Sequence, residues 1–225
     1  MRNVLELVTV RTEDGIELDG AMYLPDGDAS KWETPILGVH GLTWNFYRGP
    51  LRWLPASFVA GGHPCLSLNM RDHDLDQPKD FELSHHDLRA GIDYLASRFG
   101  RAPIIVGHGY ANNKIVSYPA QSGDDRIDRY VLATLGSVKK YRPDIWNAVL
   151  ASAGRLRGRA LVVQGAIDEL IEARPRADEL VAAAKDCAVD VSYLEGGNHY
   201  FHGKETELGR VIVDWLRANR NEERP

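Results

Sequence analysis

Cysteine is scarce: 225 residues carry two, Cys65 and Cys187, each in an apolar, strand-like stretch. Two thiols with no Cys-x-x-Cys spacing exclude a disulfide framework and a zinc finger or ribbon. They read as buried free thiols in a reducing compartment, so the expected localisation is cytoplasmic. Long apolar runs are missing as well. No segment approaches the roughly 20 residues needed to cross a bilayer, and the start of the chain lacks the apolar stretch and small-residue cleavage site of a signal peptide. No membrane partner is expected. Nor is there an excess of positive charge: 27 Lys and Arg stand against 32 Asp and Glu, a net −5, which excludes the basic footprint of a nucleic-acid binder. Repeats, linkers and low-complexity tracts are absent, and no metal or other cofactor is expected from the spacing of His, Cys, Asp and Glu.

What remains has the make-up of an ordinary globular protein, 44% hydrophobic and 26% charged, of a length that fits one domain over residues 1–225. Val4 to Arg11 and Ile16 to Leu24 alternate around Glu13-Asp14-Gly15, which predicts an opening hairpin. Short apolar strands are predicted at Pro35–Val39, Pro64–Leu68, Ile104–Val106, Ile127–Thr134, Ala160–Val163 and Val189–Leu194. Helices are expected between them. One lies near Arg48–Ala60, interrupted by prolines. Another begins at Ser84, capped by that serine with Asp87 completing a near capping box, carries Leu88, Ile92, Leu95 and Phe99 on one face, and stops at Gly100. Further helices follow Asn112 (limited by Pro119), span Asp144–Ala153, include Ala177–Ala184, and close the chain with Leu208, Ile212 and Leu216. Strands alternating with helices predict an α/β fold with a mostly parallel twisted sheet, an N-terminal hairpin and helices on both faces. Residues 136–158 are the candidate for a short, minimal cap.

In such sheets ligands gather beyond the carboxyl ends of the strands. His40, Asn69, Gly109, Asp168 and His199 all fall there. The organising stretch is Ile104-Ile105-Val106-Gly107-His108-Gly109-Tyr110-Ala111: a buried strand, a glycine turn and a helix. It has the frame of the Gly-x-Ser-x-Gly nucleophile elbow, with Gly109 at the serine position. Glycine keeps the left-handed turn while removing the hydroxyl.

His40-Gly41-Leu42, Gly107-His108-Gly109-Tyr110-Ala111, Gln164-Gly165-Ala166-Ile167-Asp168 and Gly197-Asn198-His199-Tyr200-Phe201 come in the order elbow, acid, histidine. On these motifs the whole chain resembles the α/β-hydrolase superfamily. His40–Tyr47 and Asn69–Asp74 resemble the small bacterial serine-aminopeptidase-like hydrolases. The resemblance implies an α/β-hydrolase fold, His199 as general base, Asp168 as its orienting carboxylate, and the backbone N–H groups of Leu42 and Tyr110 as an oxyanion hole.

Trp44, His108, Ser137 and Trp146 are candidate pocket residues. Ser137 is also a candidate displaced hydroxyl, whereas His108 is expected to pack beside the elbow. His85 and His86 read as solvated. Arg71 and His73 read as cleft residues or as partners in a loop-stabilising pair. Lys139, Lys140, Arg142, Arg155, Arg157 and Arg159 would make the segment over the cleft basic; a solvated face is the plain reading, and an anionic small-molecule substrate the sharper expectation. The functional expectation is an enzyme acting on a carbonyl compound without a serine, by water attack or by proton abstraction leading to lyase, cyclase or isomerase chemistry. The alternative is a non-catalytic binding or sensing protein that retains the pocket. Nothing in the sequence sets an oligomeric state.

Overall fold

A computed structural model describes residues 4–75, 80–136, 142–170 and 172–220. Eight strands form one sheet in the order β1-β2-β4-β3-β5-β6-β7-β8: β1 Val4–Arg11, β2 Glu17–Leu24, β3 Ile36–Val39, β4 Cys65–Leu68, β5 Ile104–Gly109, β6 Arg129–Leu135, β7 Gly158–Gly165 and β8 Cys187–Leu194. The first two strands are antiparallel to each other, and β2 is antiparallel to β4. All later neighbours are parallel. This is the mostly parallel sheet anticipated from the alternation of strands and helices, in the α/β-hydrolase arrangement that the motif resemblance implied. The strand order reverses at β3, between β4 on one side and β5 on the other, which opens the crevice where such sheets bind ligands.

Side chains of the central strands alternate between two apolar layers, as period-two geometry requires. Ile105, Tyr130, Leu132 and Val162 face one layer with Leu88, Ile92, Ile115 and Leu180. Those helical residues come from α2 Ser84–Phe99, α3 Ala111–Ser122 and α5 Ala173–Ala183. Ile104, Val106, Val131 and Val163 face the other layer, covered by α1 Leu54–Ala60 and α6 Glu205–Ala218. Both cysteines are buried and free. Among the described residues no helix is long and apolar enough to cross a membrane.

Four local expectations change. Ser84 does not cap α2. A 3-10 turn at Phe81–Leu83 precedes the helix, Ser84 Oγ donates back to the Phe81 carbonyl at 2.7 Å, and Leu83 is the cap residue without a side-chain bond. Asp87 has a different task, accepting from Arg71 N at 2.7 Å and Arg71 Nε at 2.9 Å. Pro119 does not end α3: the proline forgoes a single bond near the helix end, and the chain continues to Ser122 until Gly123 turns left-handed at φ 68°. The described part of the 136–158 segment is largely α4 Pro143–Ala153, the crossover between β6 and β7. Ile145, Trp146 and Val149 on it are buried in the core, so the described helix packs against the sheet layer.

Candidate functional site

The elbow is built by a β-bulge. His108 aligns with Ala133 and Gly109 with Leu135, so Thr134 is the extra residue on β6, at φ 49°. Bulges bend and re-aim a strand end, and they are frequent beside active sites. Gly109 itself has φ 61°, the conformation that favours glycine. A Cβ built there would meet one atom within 4 Å, His199 Nε2 at 3.7 Å. The strand-to-helix turn therefore presents residue 109 to the imidazole.

His199 is delivered by the loop after β8. Gly196 at φ 67° starts the turn, and Gly197 packs so closely on Gly165 that a Cβ would lie 3.2 Å from the Gly165 Cα. Asn198 Oδ1 then accepts from the backbone of Tyr200 at 3.1 Å and His202 at 3.0 Å, a local Asx arrangement that fixes the loop. Phe201, fully buried, holds φ 56°. His199 Nδ1 lies 3.0 and 3.2 Å from the two oxygens of Asp168, whose side chain is fully buried. A carboxylate only accepts, so Nδ1 carries a proton, and Nε2 is the nitrogen turned toward Gly109. Asp168 Oδ1 also accepts from Leu170 N at 2.8 Å. Asp168 and His199 come from loops 31 residues apart, and the fold brings them together.

Three groups hold the histidine's backbone, a task that sequence reasoning assigned to none of them. The His199 carbonyl accepts from His108 Nε2 at 2.8 Å and from the bulged Thr134 Oγ1 at 3.3 Å. The His199 N–H donates to Glu169 Oε2 at 3.3 Å. No sequence signal marks Thr134, because its role exists only once the bulge forms. His108 packs beside the elbow, as its variable position in the motif suggested. Trp44 stacks on it at 4.9 Å and 18°, and Tyr200 flanks both rings. Trp44 thus covers the site edge, half-buried. Trp146 does not: it is 2% exposed and donates from Nε1 to Glu179 Oε2 at 2.6 Å in the core. Ser137 lies outside the described residues, as do Lys139 and Lys140.

Leu42 follows Gly41, where a Cβ would come within 2.9 Å of the His108 carbonyl, so this loop lies directly against the end of β5. Tyr110 opens α3, where first-turn N–H groups have no intrahelical acceptor and the helix end favours negative charge. His40 fastens the Leu42 loop. Its Nδ1 donates to the Gly41 carbonyl at 2.8 Å and its Nε2 accepts from Met70 N at 2.9 Å, which fixes the tautomer. Beneath the elbow helix, Lys114 and Asp72 form an ion pair with both side chains 1% exposed, and the ammonium stands 5.3 Å from the centre of the Tyr110 ring. Asp72 sits in the loop that Met70 ties to His40, so this pair links the elbow to the neighbouring loop. Arg71 is not a cleft residue. It pairs with Asp14 at 2.9 Å and with Asp87 at 2.7 Å, bolting the hairpin turn to α2.

The expected basic cover splits: Arg157 and Arg159 leave it, while Arg142 stays within electrostatic reach of the Tyr110 hydroxyl. Arg159 aligns with Arg129 at the amino edge of the parallel strands, opposite to Gly109. Arg157 and Arg159 pair with Asp186 and Asp190, and Arg142 with Asp144 at 2.7 Å. Nearness in sequence had concealed that Arg157 and Arg159 reach the far edge of the sheet.

Two results follow for stability. Burial pushes the His40 imidazole down to about 4 and that of His108 to about 3. A depressed histidine binds its proton more readily unfolded than folded, so its stabilisation is complete above about pH 6.5 and is lost as pH falls toward 4. Two such residues predict a slope of about 2.7 kcal/mol per pH unit between pH 6 and 4. Asp14, held at about 2 mainly by the Arg71 hydrogen bond, adds its loss only below about pH 4. Denaturant midpoints at pH 7, 6 and 5 measure this; equal stability at pH 7 and 5 would contradict it. Asp72→Ala should strand the buried Lys114 and cost about 3–5 kcal/mol, whereas Asp72→Leu combined with Lys114→Met should recover much of that. Urea unfolding of the three proteins decides, and a loss under about 1 kcal/mol for Asp72→Ala would contradict the pairing.

Asp168 and His199 bring no third metal ligand: among the described residues one group, Glu13 with His85 and His86, has metal-ligand spacing, and it includes neither. No protein-family model and no curated protein matches the sequence. Solved structures do resemble it. A dienelactone hydrolase from Anabaena variabilis superposes with TM-score 0.78 at 14% identity, over 97% of this chain and 99% of its own. Est1E from Butyrivibrio proteoclasticus, solved with ferulic acid, gives 0.78 at 14%, over 94% and 99%. The esterase Pf2001 of Pyrococcus furiosus gives 0.74 at 14%, over 96% and 91%. At such identity the likeness speaks for architecture: from end to end, this chain has the α/β-hydrolase fold.

Proposed function

We propose that the protein is an enzyme acting on a small carbonyl compound with an Asp168–His199 dyad and no elbow serine. The observation that carries this reading is the aim of His199 Nε2. It stands 3.7 Å from where a side chain of residue 109 would begin, while Nδ1 is held by a buried carboxylate. A dyad ordered in this way has a base without its usual partner. A water placed between Gly109 and Nε2 would be deprotonated as it attacks the carbonyl carbon. The Leu42 and Tyr110 amides would receive the developing oxyanion, a contribution that depends on no side chain. With an acidic C–H in the same place, His199 would take that proton and the same amides would hold an enolate. Hydrolysis by water attack is the preferred reading. The esterase-type structures that share the fold support a small ester or lactone as substrate, and the motifs around His40 and Asn69 support the narrower serine-aminopeptidase-like kinship.

The test is a panel of activated esters, lactones and small acids assayed for both turnover and thermal stabilisation. Turnover of at least one ester or lactone is expected. A compound at about 100 times its Kd that adds about 2.7 kcal/mol of stability without being transformed, with none turned over, would favour the binding protein instead.

A further inference from the structure

Away from the dyad, the turn between β1 and β2 meets the first turn of α2. One ligand atom from each of Glu13, His85 and His86 lies within 4.8 Å of the others. The imidazoles are not the freely solvated pair that their place in a first helical turn suggested. Their ring centres are 4.0 Å apart, and His86 Nδ1 is 2.5 Å from Glu13 Oε1. His85 Nδ1 lies 2.8 Å from the Glu82 carbonyl. A carbonyl can only accept, so that nitrogen carries the proton and Nε2 keeps its lone pair. This is the arrangement of metal-binding histidines, whose second nitrogen is usually fixed by a carbonyl or carboxylate.

The platform is rigid on both sides. Asp14, next to Glu13, is held by Arg71 and by Thr12 Oγ1 at 2.6 Å, and the same Arg71 grips Asp87 in α2. Beside Glu13 and His86 a cavity of about 310 Å³, bounded also by Arg89 and Asp93, leaves room for water at the site.

The geometry points to a binding site for a divalent transition-metal ion of the zinc class, held by Glu13, His85 and His86, that clamps the hairpin turn to α2. Two imidazoles with one carboxylate suit zinc, nickel or copper, whereas magnesium and calcium prefer all-oxygen sets. Binding displaces the proton shared by His86 and Glu13, because the ligating nitrogen must be unprotonated. The ligands come from segments about 70 residues apart, so no linear spacing reveals them.

Calorimetric titration of untagged protein with zinc chloride at pH 7.5 tests this. One saturable site per chain is expected, with a rise in Tm on adding excess zinc. His85→Ala and Glu13→Ala, at a half-buried and an exposed position outside the core, should fold normally and weaken binding roughly tenfold or more, while His202→Ala should leave it unchanged. Magnesium chloride should give no saturable heat. No saturable zinc binding by the wild type, equal binding by the His85→Ala Glu13→Ala double variant, or magnesium binding as tight as zinc would each overturn the proposal.

Discussion

Gly109→Ser should turn a protein that a fluorophosphonate leaves unmodified at this position into one that is labelled there. The backbone at residue 109 already has the geometry of a nucleophile turn, and a Cβ would sit 3.7 Å from His199 Nε2 with no other atom within 4 Å. One further bond length places a serine Oγ within the ~2.7–3.2 Å of a hydrogen bond to that nitrogen. Asp168 is in place behind it, so the substitution would complete a triad in a preformed site. Weak esterase activity toward activated esters should accompany the labelling. The variant should be less stable by about 1 kcal/mol, since a non-glycine side chain at φ 61° is strained. Tyr110 and Ala111 differ from the usual elbow, so activity should fall short of a dedicated serine hydrolase. Folded Gly109→Ser protein that takes no label would show that residue 109 and His199 do not face each other.

The elements that proved legible in the sequence are those whose signal is local. The Asp-Gly turn announces the hairpin, and it spans the expected residues. The stripe Leu88, Ile92, Leu95 with Gly100 behind it marks α2, and Gly100 adopts the left-handed stop at φ 69°. The apolar run into Gly107-His108-Gly109 marks β5 and its turn. The nearness of Asp168 and His199 was readable because each follows a strand and parallel strands deliver their carboxyl ends to one edge; their roles were what the motif resemblance implied.

What stayed hidden depends on partners distant in the chain. Ser84 and Asp87 fit a helix cap by spacing, but Arg71 outcompetes the cap for Asp87 with two hydrogen bonds. Trp146 was a candidate pocket wall as an aromatic of the segment expected over the cleft; its helix turns it into the core, where Glu179 satisfies the indole N–H. The arginines from 155 to 159 lie close in sequence to the presumed cleft, yet they sit after α4, at the start of β7 and the far edge of the sheet. The Thr134 bulge and its bond to the His199 carbonyl are products of the strand register, which no residue type announces.

The central claim is that His199 carries the chemistry at a site without a nucleophilic side chain at position 109. On any ester or lactone that the wild type turns over, His199→Ala and wild type should be compared at equal concentration, with matched circular dichroism to confirm folding. Removing a positioned general base typically costs about 10²–10⁴ in rate, and a loss in kcat/KM of that size is the expected result. Turnover by folded His199→Ala equal to that of the wild type would contradict the claim outright.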